Sequence, residues 1–358
     1  MAQITLSNLA HTYAPSGEQE SDFALETLNH VWQEGGAYAL LGPSGCGKTT
    51  LLNIISGLIM PSHGRVLFDG TDVTDLPAEK RNIAQVFQFP VVYDTMSVRE
   101  NLSFPLKNRG LAGAEIQARV ALIAEMIGLE DILDQKARGL TADAKQKISL
   151  GRGMVRESVN AILLDEPLTV IDPQLKWELR TQLKSLHREL GHTMIYVTHD
   201  QVEALTFADT VVMMHEGRVL QMGTPESLFE TPKHTFVGHF IGSPGMNFLD
   251  ASIEGNHAVI NGQPVPLGAN YRNPCGHTQI GIRPEYVQFT ADGGLPVVVR
   301  HIEDLGHRRI VHAELERSPI SVSVPEGCPF DSTMTQVRFI PEKINVFVDS
   351  WRVEGGAF

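Results

Sequence analysis

The chain is short of everything that would staple it outside a reducing compartment or carry it across a bilayer. Only three cysteines, Cys46, Cys275 and Cys328, occur in its 358 residues. They are too few and too scattered for a disulfide framework or a zinc site, and they suit a reducing compartment. No apolar run reaches the roughly 18 residues that a membrane-spanning helix needs. The longest, Ala161–Leu164 and Thr210–Met214, are strand-length. The opening segment MAQITLSNLAHTY has no basic stretch leading into an apolar one, so no signal peptide is expected. Positive charge is scarce as well: 29 Lys and Arg face 42 Asp and Glu, a net charge of −13. That balance excludes a nucleic-acid-coating protein and a binder of anionic membranes. What is present is globular material. With 42 % hydrophobic and 20 % charged residues, there is enough apolar mass for two domains of about 150 residues each. Any membrane role must come through a partner.

Strand-like runs recur through the first two-thirds: Ala37–Leu41, Asn82–Val86, Ala161–Leu164, Thr193–Val197 and Thr210–Met214. Helical patterns lie between several of them. Leu175, Leu179, Leu183, Leu186 and Leu190 fall on one face of an amphipathic helix over 174–190. Alternating strands and helices predict a parallel α/β core. The stretch 89–159 is helical in pattern and reads as an insertion in that core. After the Gly/Pro-rich segment at 242–247 the character changes. Short β-type runs follow: Ser252–Ile260, Gln279–Ile282, Pro296–His301, Ile310–Leu315, Ile320–Val324, Gln336–Phe339 and Ile344–Val348. They predict a small β-barrel or sandwich over 241–358, with the boundary near 240–246.

Gly42, Pro43, Ser44, Gly45, Cys46, Gly47, Lys48 and Thr49 fit G-x-x-x-x-G-K-[ST]. The motif follows an apolar strand and opens a helix that begins with Thr50, Leu51 and Leu52. The glycines let backbone N–H groups wrap phosphates without Cβ clashes, and the helix N-terminus adds positive potential. Lys48 is expected on the β- and γ-phosphates and the Thr49 hydroxyl on Mg²⁺. A phosphoryl-transfer site needs an acid at the end of a second strand. Asp165 and Glu166 supply it after Ala161–Leu164. Asp165 is expected on Mg²⁺ and Glu166 as the general base for an attacking water. His199 ends the run Met194–Thr198 at the functional edge of such a sheet, where it could meet a γ-phosphate.

This combination, with Val86-Phe87-Gln88 and Asp172 six residues after Glu166, resembles the ABC ATPase family over about residues 3–240. The resemblance implies that Gln88 senses Mg²⁺ and the transport partner, that Asp172 is the D-loop aspartate and that His199 is the switch histidine. It places Tyr13 where an aromatic ring stacks on adenine. It implies MgATP hydrolysis, two separate permease subunits whose coupling helices dock near 88–100, and a peripheral place on the cytoplasmic face of the membrane. The segments 223–226, 240–247, 281–285 and 341–343 resemble the maltose and glycerol-phosphate importer branch. Its C-terminal domain is OB-like and regulatory, and its cargo is delivered by an external binding protein. A carbohydrate or polyol, such as glycerol, is then the expected cargo.

The chain departs from the family in one place. Where the family carries Leu-Ser-Gly-Gly-Gln, this sequence has Leu140, Thr141, Ala142, Asp143 and Ala144. Two glycines that would meet a phosphate are replaced by residues with a Cβ. A carboxylate facing a polyanion could cost about 2–4 kcal/mol; alternatively, Asp143 caps its own helix. In the family this segment serves the partner's nucleotide. The expectation is therefore a heterodimer with a second ATPase whose own segment is intact. A homodimer with two impaired sites is the alternative, and so is a catalytically weak regulatory subunit.

Overall fold

The apolar runs of the first two-thirds become a six-stranded sheet in the order β10-β9-β3-β8-β7-β6. Its strands are β3 (Ala37–Leu41), β6 (Ile83–Val86), β7 (Ala161–Asp165), β8 (Met194–Thr198), β9 (Thr210–His215) and β10 (Arg218–Gly223). All neighbours are parallel except the edge strand β10, which is antiparallel to β9. The strands β3, β7 and β8 are buried along their whole length, as expected for a sheet covered on both faces. A second, antiparallel sheet is built from β1 (Ile4–Thr12), β2 (Phe23–Trp32), β4 (His63–Phe68) and β5 (Thr71–Asp72), in the order β2-β1-β4-β5. Both sheets contribute to one core with α1 (Lys48–Ser56), through Leu6, Trp32, Leu51, Ile54, Leu163 and Val197. The computed structural model describes residues 2–14, 23–272, 275–328, 330 and 335–356.

The helical insertion contains α2 (Val98–Lys107), α3 (Gly113–Met126) and α4 (Ala142–Met154). Ser97 and Glu100 close a capping box on α2. The predicted amphipathic helix is α5 (Pro173–Leu190). Leu179, Leu183 and Leu186 are its buried stripe, Asp172 caps its start and Gly191 ends it in the left-handed conformation. The short helix α6 (Gln201–Phe207) follows β8.

The chain divides into two units, Met1–Pro225 and Glu226–Phe358. This division lies before the 240–246 boundary read from the sequence. The helices α7 (Pro225–Glu230) and α8 (Thr235–Phe240) precede that boundary and are tied to the residues after it by several hydrogen bonds, from Lys343 and Asn345 to Glu230 and above all from one buried side chain. Arg283 is 1 % exposed and donates to the carbonyls of Phe229 at 2.9 Å, Gly238 at 2.8 Å, Leu228 at 3.5 Å and also Ile241. Burial pushes its guanidinium pKa down to about 10. The rest of the second unit is antiparallel β-structure from β11 (Asn247–Asp250) to β22 (Trp351–Val353), packed on Leu249, Ile280, Val311, Val322, Val337 and Val346. Among the described residues, no helix is long and apolar enough to cross a membrane.

Candidate functional site

The sheet order puts β3, β8, β7 and β6 side by side and parallel. Their carboxyl ends therefore open on one edge. Residues 42–49 leave β3, His199 leaves β8, Asp165 and Glu166 end β7, and Gln88 follows β6 by two residues. That edge is where open α/β sheets bind ligands.

The loop 42–47 is shaped by its glycines. Gly47, the N-cap of α1, has φ 97°, and a Cβ there would lie 2.4 Å from the Ala24 carbonyl oxygen. At Gly42 a Cβ would lie 2.1 Å from the Met214 carbonyl oxygen. No other residue type fits either position without moving backbone. The Lys48 ammonium is 4 % exposed and donates to the carbonyls of Gly42 at 2.8 Å and Pro43 at 2.9 Å. Ser44, Gly45 and Thr49 are exposed on the loop, whereas Cys46 and Thr50 are buried. Burial pushes the Cys46 thiol pKa up, and the nearby Lys48 offsets part of that rise.

The Thr49 hydroxyl donates to Asp165 Oδ1 at 3.1 Å. Asp165 is 8 % exposed, and its pKa is raised chiefly by burial, with the Thr49 hydrogen bond pulling the other way. Glu166 follows in the left-handed region at φ 44°, an uncommon conformation for a residue with a Cβ. Its backbone N–H donates to Val197 at 2.9 Å. One carboxylate oxygen lies 3.1 Å from His199 Nδ1, and the other accepts the Thr169 hydroxyl at 3.2 Å. The structure thus pairs Thr49 with Asp165 and Glu166 with His199, while Lys48, beside Thr49 at the start of α1, is held by its own loop. Tyr13 is exposed just beyond β1, with its hydroxyl 3.1 Å from Thr50 Oγ1. Gln88 is half-buried, and Asp172 stands apart as the cap of α5.

Three features were not read from the sequence. Gln146, fully buried on α4, donates to the carbonyls of Pro167 at 2.8 Å and Phe87 at 3.4 Å. It ties that helix to the segments after β7 and β6. Glu203 is buried on α6 beneath the loop that carries His199. Asp143 does not cap its own helix: Thr141 does, accepting Ala144 N–H at 3.3 Å. The Asp143 carboxylate instead accepts the backbone N–H of Asp172 at 3.3 Å. Gln146 and Glu203 gave only the signal of a polar residue within a helix, which marks a solvated face as readily as a buried bridge, and Asp143 stood out in the sequence without its partner being legible.

A glycine-shaped phosphate loop, a lysine inside it and two acids at the end of β7, one strand removed in the same sheet, define a P-loop nucleotide hydrolase. Comparison with known proteins narrows the class. The ABC transporter family model matches residues 25–169, and a TOBE domain model matches residues 280–338. The sn-glycerol-3-phosphate import ATP-binding protein UgpC of Jannaschia sp. (strain CCS1) is 37 % identical over 97 % of this chain and 98 % of its own length. The sulfoquinovosyl glycerol transport ATP-binding protein SmoE of Agrobacterium fabrum is 36 % identical over 97 % of this chain and 98 % of its own. Among solved structures, the ATP-binding cassette MJ0796, a dimer in a post-hydrolysis state with ADP and Pi, matches with a TM-score of 0.55 and 28 % identity. It covers 62 % of this chain and 98 % of that one. The chain belongs to the ABC transporter ATPases, in the branch of sugar and glycerol-phosphate importers with a C-terminal TOBE domain. It is an ATPase that uses ATP with Mg²⁺ and works as part of a transporter complex with permease subunits.

Proposed function

We propose that this chain drives the import of a phosphorylated or sulfonated glycerol or a related sugar, with its own P-loop site performing the hydrolysis. The observation that carries the reading is the pair of contacts Thr49–Asp165 at 3.1 Å and Glu166–His199 at 3.1 Å, on neighbouring strand ends. The relatives named for sn-glycerol-3-phosphate and sulfoquinovosyl glycerol, each aligned over 97 % of this chain, support the cargo class.

The placement of these residues, with the family resemblance, supports a role for each. Tyr13 stacks on the adenine. The backbone N–H groups of Gly45, Cys46, Gly47 and Lys48 and the side chains of Ser44 and Thr50 surround the phosphates at the α1 N-terminus. Lys48 turns from the Gly42 and Pro43 carbonyls onto phosphate oxygens, where its charge stabilises the transferring group. Thr49, Asp165 and Gln88 offer hard oxygen donors, which suit Mg²⁺; that ion usually takes one or two protein carboxylates plus phosphates. Bound there, it would neutralise phosphate charge. The Glu166 carboxylate takes the proton of the attacking water, and His199, in contact with Glu166, reads the γ-phosphate. Asp172 sets the loop before α5.

A groove of about 200 Å³ lined by Phe87, Val91, Pro105, Arg152 and Arg156 lies beside the exposed rings of Phe89 and Tyr93. It supports docking of the permease coupling helices near 88–100 and a peripheral place at the membrane. The heterodimer expected from the sequence rested on Ala142 and Asp143 replacing the glycines that would meet a partner's phosphates, and on the Asp143 charge facing them. The hydrogen bond of Asp143 to Asp172 of the same chain turns the carboxylate to a different partner and supports pairing of two copies of this chain. Affinity purification of the tagged chain from native membranes, with subunits counted by mass spectrometry, tests this. Two copies with two permease chains are expected. A second ATPase chain in equal amount would restore the heterodimer.

A further inference from the structure

Glu203 is the one acidic side chain of α6, and it is 4 % exposed. One carboxylate oxygen accepts two hydroxyls, from Tyr196 at 3.0 Å and from Thr198 at 2.7 Å. Lys176 of α5 lies 3.8 Å from the other oxygen. Tyr196 and Thr198 are two apart on β8, so both face the same side of the strand. They present their hydroxyls to the carboxylate immediately before His199. The Thr198 hydroxyl also accepts the backbone N–H of Asp200 at 3.0 Å. The Asp200 carboxylate in turn accepts the N–H groups of Val202 at 2.7 Å and Glu203 at 3.2 Å. His199 therefore sits in a turn whose two flanks both lead back to Glu203. A buried carboxylate is costly, and a well-packed apolar side chain of similar size would stabilise the same helix contact at less desolvation cost. The hydrogen bonds explain what the charge does there: they fix the turn that aims His199 at Glu166, 3.1 Å away.

We propose that Glu203 is a positioning residue for ATP hydrolysis, acting through Thr198 to hold His199 against Glu166. The proposal rests on the reading that His199 and Glu166 serve the reaction. Fixing a reacting group within a fraction of an ångström is worth up to about a hundredfold in rate. The effect belongs in turnover, because neither Thr198 nor Glu203 is among the residues that hold nucleotide.

The test is steady-state hydrolysis of radiolabelled MgATP by the full-length chain, with melting temperatures confirming that each variant is folded. Thr198→Val and Glu203→Gln should each lower kcat about tenfold with KM changed less than about twofold, and Thr198→Ser should recover most of the loss. Thr198→Val added to His199→Ala should slow the enzyme no further than His199→Ala alone, because the positioned group is gone. Wild-type kcat in folded Thr198→Val and Glu203→Gln would overturn the proposal. So would a further drop of about tenfold in the double variant, which marks a general structural role. If Glu203→Gln does not fold, the Thr198 series decides. If His199→Ala itself keeps full kcat, the reading of His199 fails, and the positioning role falls with it. That result is distinct from one in which His199→Ala is slow and the Thr198 and Glu203 variants are not.

Discussion

The P-loop and the segment 140–144 are both loops that open a helix, and they are held in opposite ways. The P-loop is bound largely from within: Lys48 satisfies the carbonyls of its own loop, and Thr49, just after it, reaches the acid at the end of β7. The helix it opens is anchored from below by Arg81, which is fully buried and donates to the carbonyls of Ile54 at 2.7 Å and Ile55 at 3.0 Å near the end of α1. The segment 140–144 and the first turn of α4 share their polar groups between the helix itself and its neighbours. Thr141 caps α4, Asp143 holds Asp172, and Lys145 pairs with Asp94 at 2.8 Å on the surface. A loop that closes on itself is specified by its own residues. A loop that leans on others can change sequence while its contacts are rebuilt elsewhere.

The largest effect should come from the anchor of the P-loop helix. Arg81→Met strips hydrogen bonds from four carbonyls, those of Ile54 and Ile55, which are buried, and those of Thr74 and Leu76, which are partly so. It should cost about 3 kcal/mol in chemical denaturation, whereas Lys145→Ala in the first turn of α4 should cost less than about 1 kcal/mol. Equal losses would erase the contrast. Next comes thiol chemistry. Cys46 is buried with a raised pKa, whereas Cys275 and Cys328 are exposed. A maleimide should modify Cys46 at least about tenfold more slowly than the other two, read by peptide mapping. Fast labelling of Cys46 would mean that the P-loop is open.

Acid should weaken the first unit. His30 on β2 stacks edge-on against Trp32 with centroids 4.9 Å apart, and burial holds its pKa down to about 4, from 6.5. Burial also lowers His187 and His192. These rings are neutral in the fold and take up protons on unfolding below pH 6.5. Stability is therefore full above pH 6.5 and falls as the pH drops towards about 4. Melting temperatures across that window check it, and His30→Phe should flatten the slope. The smallest effect belongs to Asp143→Gly. Because the carboxylate holds a backbone N–H of its own chain, MgATP turnover should change by less than about threefold. A large rise would show that Asp143 opposes phosphate after all.

The sequence reading and the structure agree where contacts are local. The strands β3, β7, β8 and β9 match their apolar runs, and the P-loop residues lie where the motif puts them. Longer-range features escaped. Register shifts at Leu6, Leu9 and His11 break the two-residue alternation of β1, so its run does not read as a strand. Strand β13 (Gln263–Tyr271) carries Pro264 and Pro266, which argue against a strand. Yet it belongs to a two-stranded sheet with β12 (Ser252–Ile260), where proline is tolerated on an edge. Arg283 joins helices more than 40 residues away in sequence, which no window along the chain detects. Glu203 reads as a solvated face until Tyr196 and Thr198 are seen to point at it.

The central claim is that this chain's own site performs hydrolysis, and Glu166→Gln tests it most directly. The substitution keeps the size of the side chain and removes its capacity to take a proton. In the purified full-length chain, MgATP turnover should fall by at least about a hundredfold while ATP binding persists. Turnover near the wild-type rate in the folded variant would contradict the account and leave the chain a nucleotide-binding regulator.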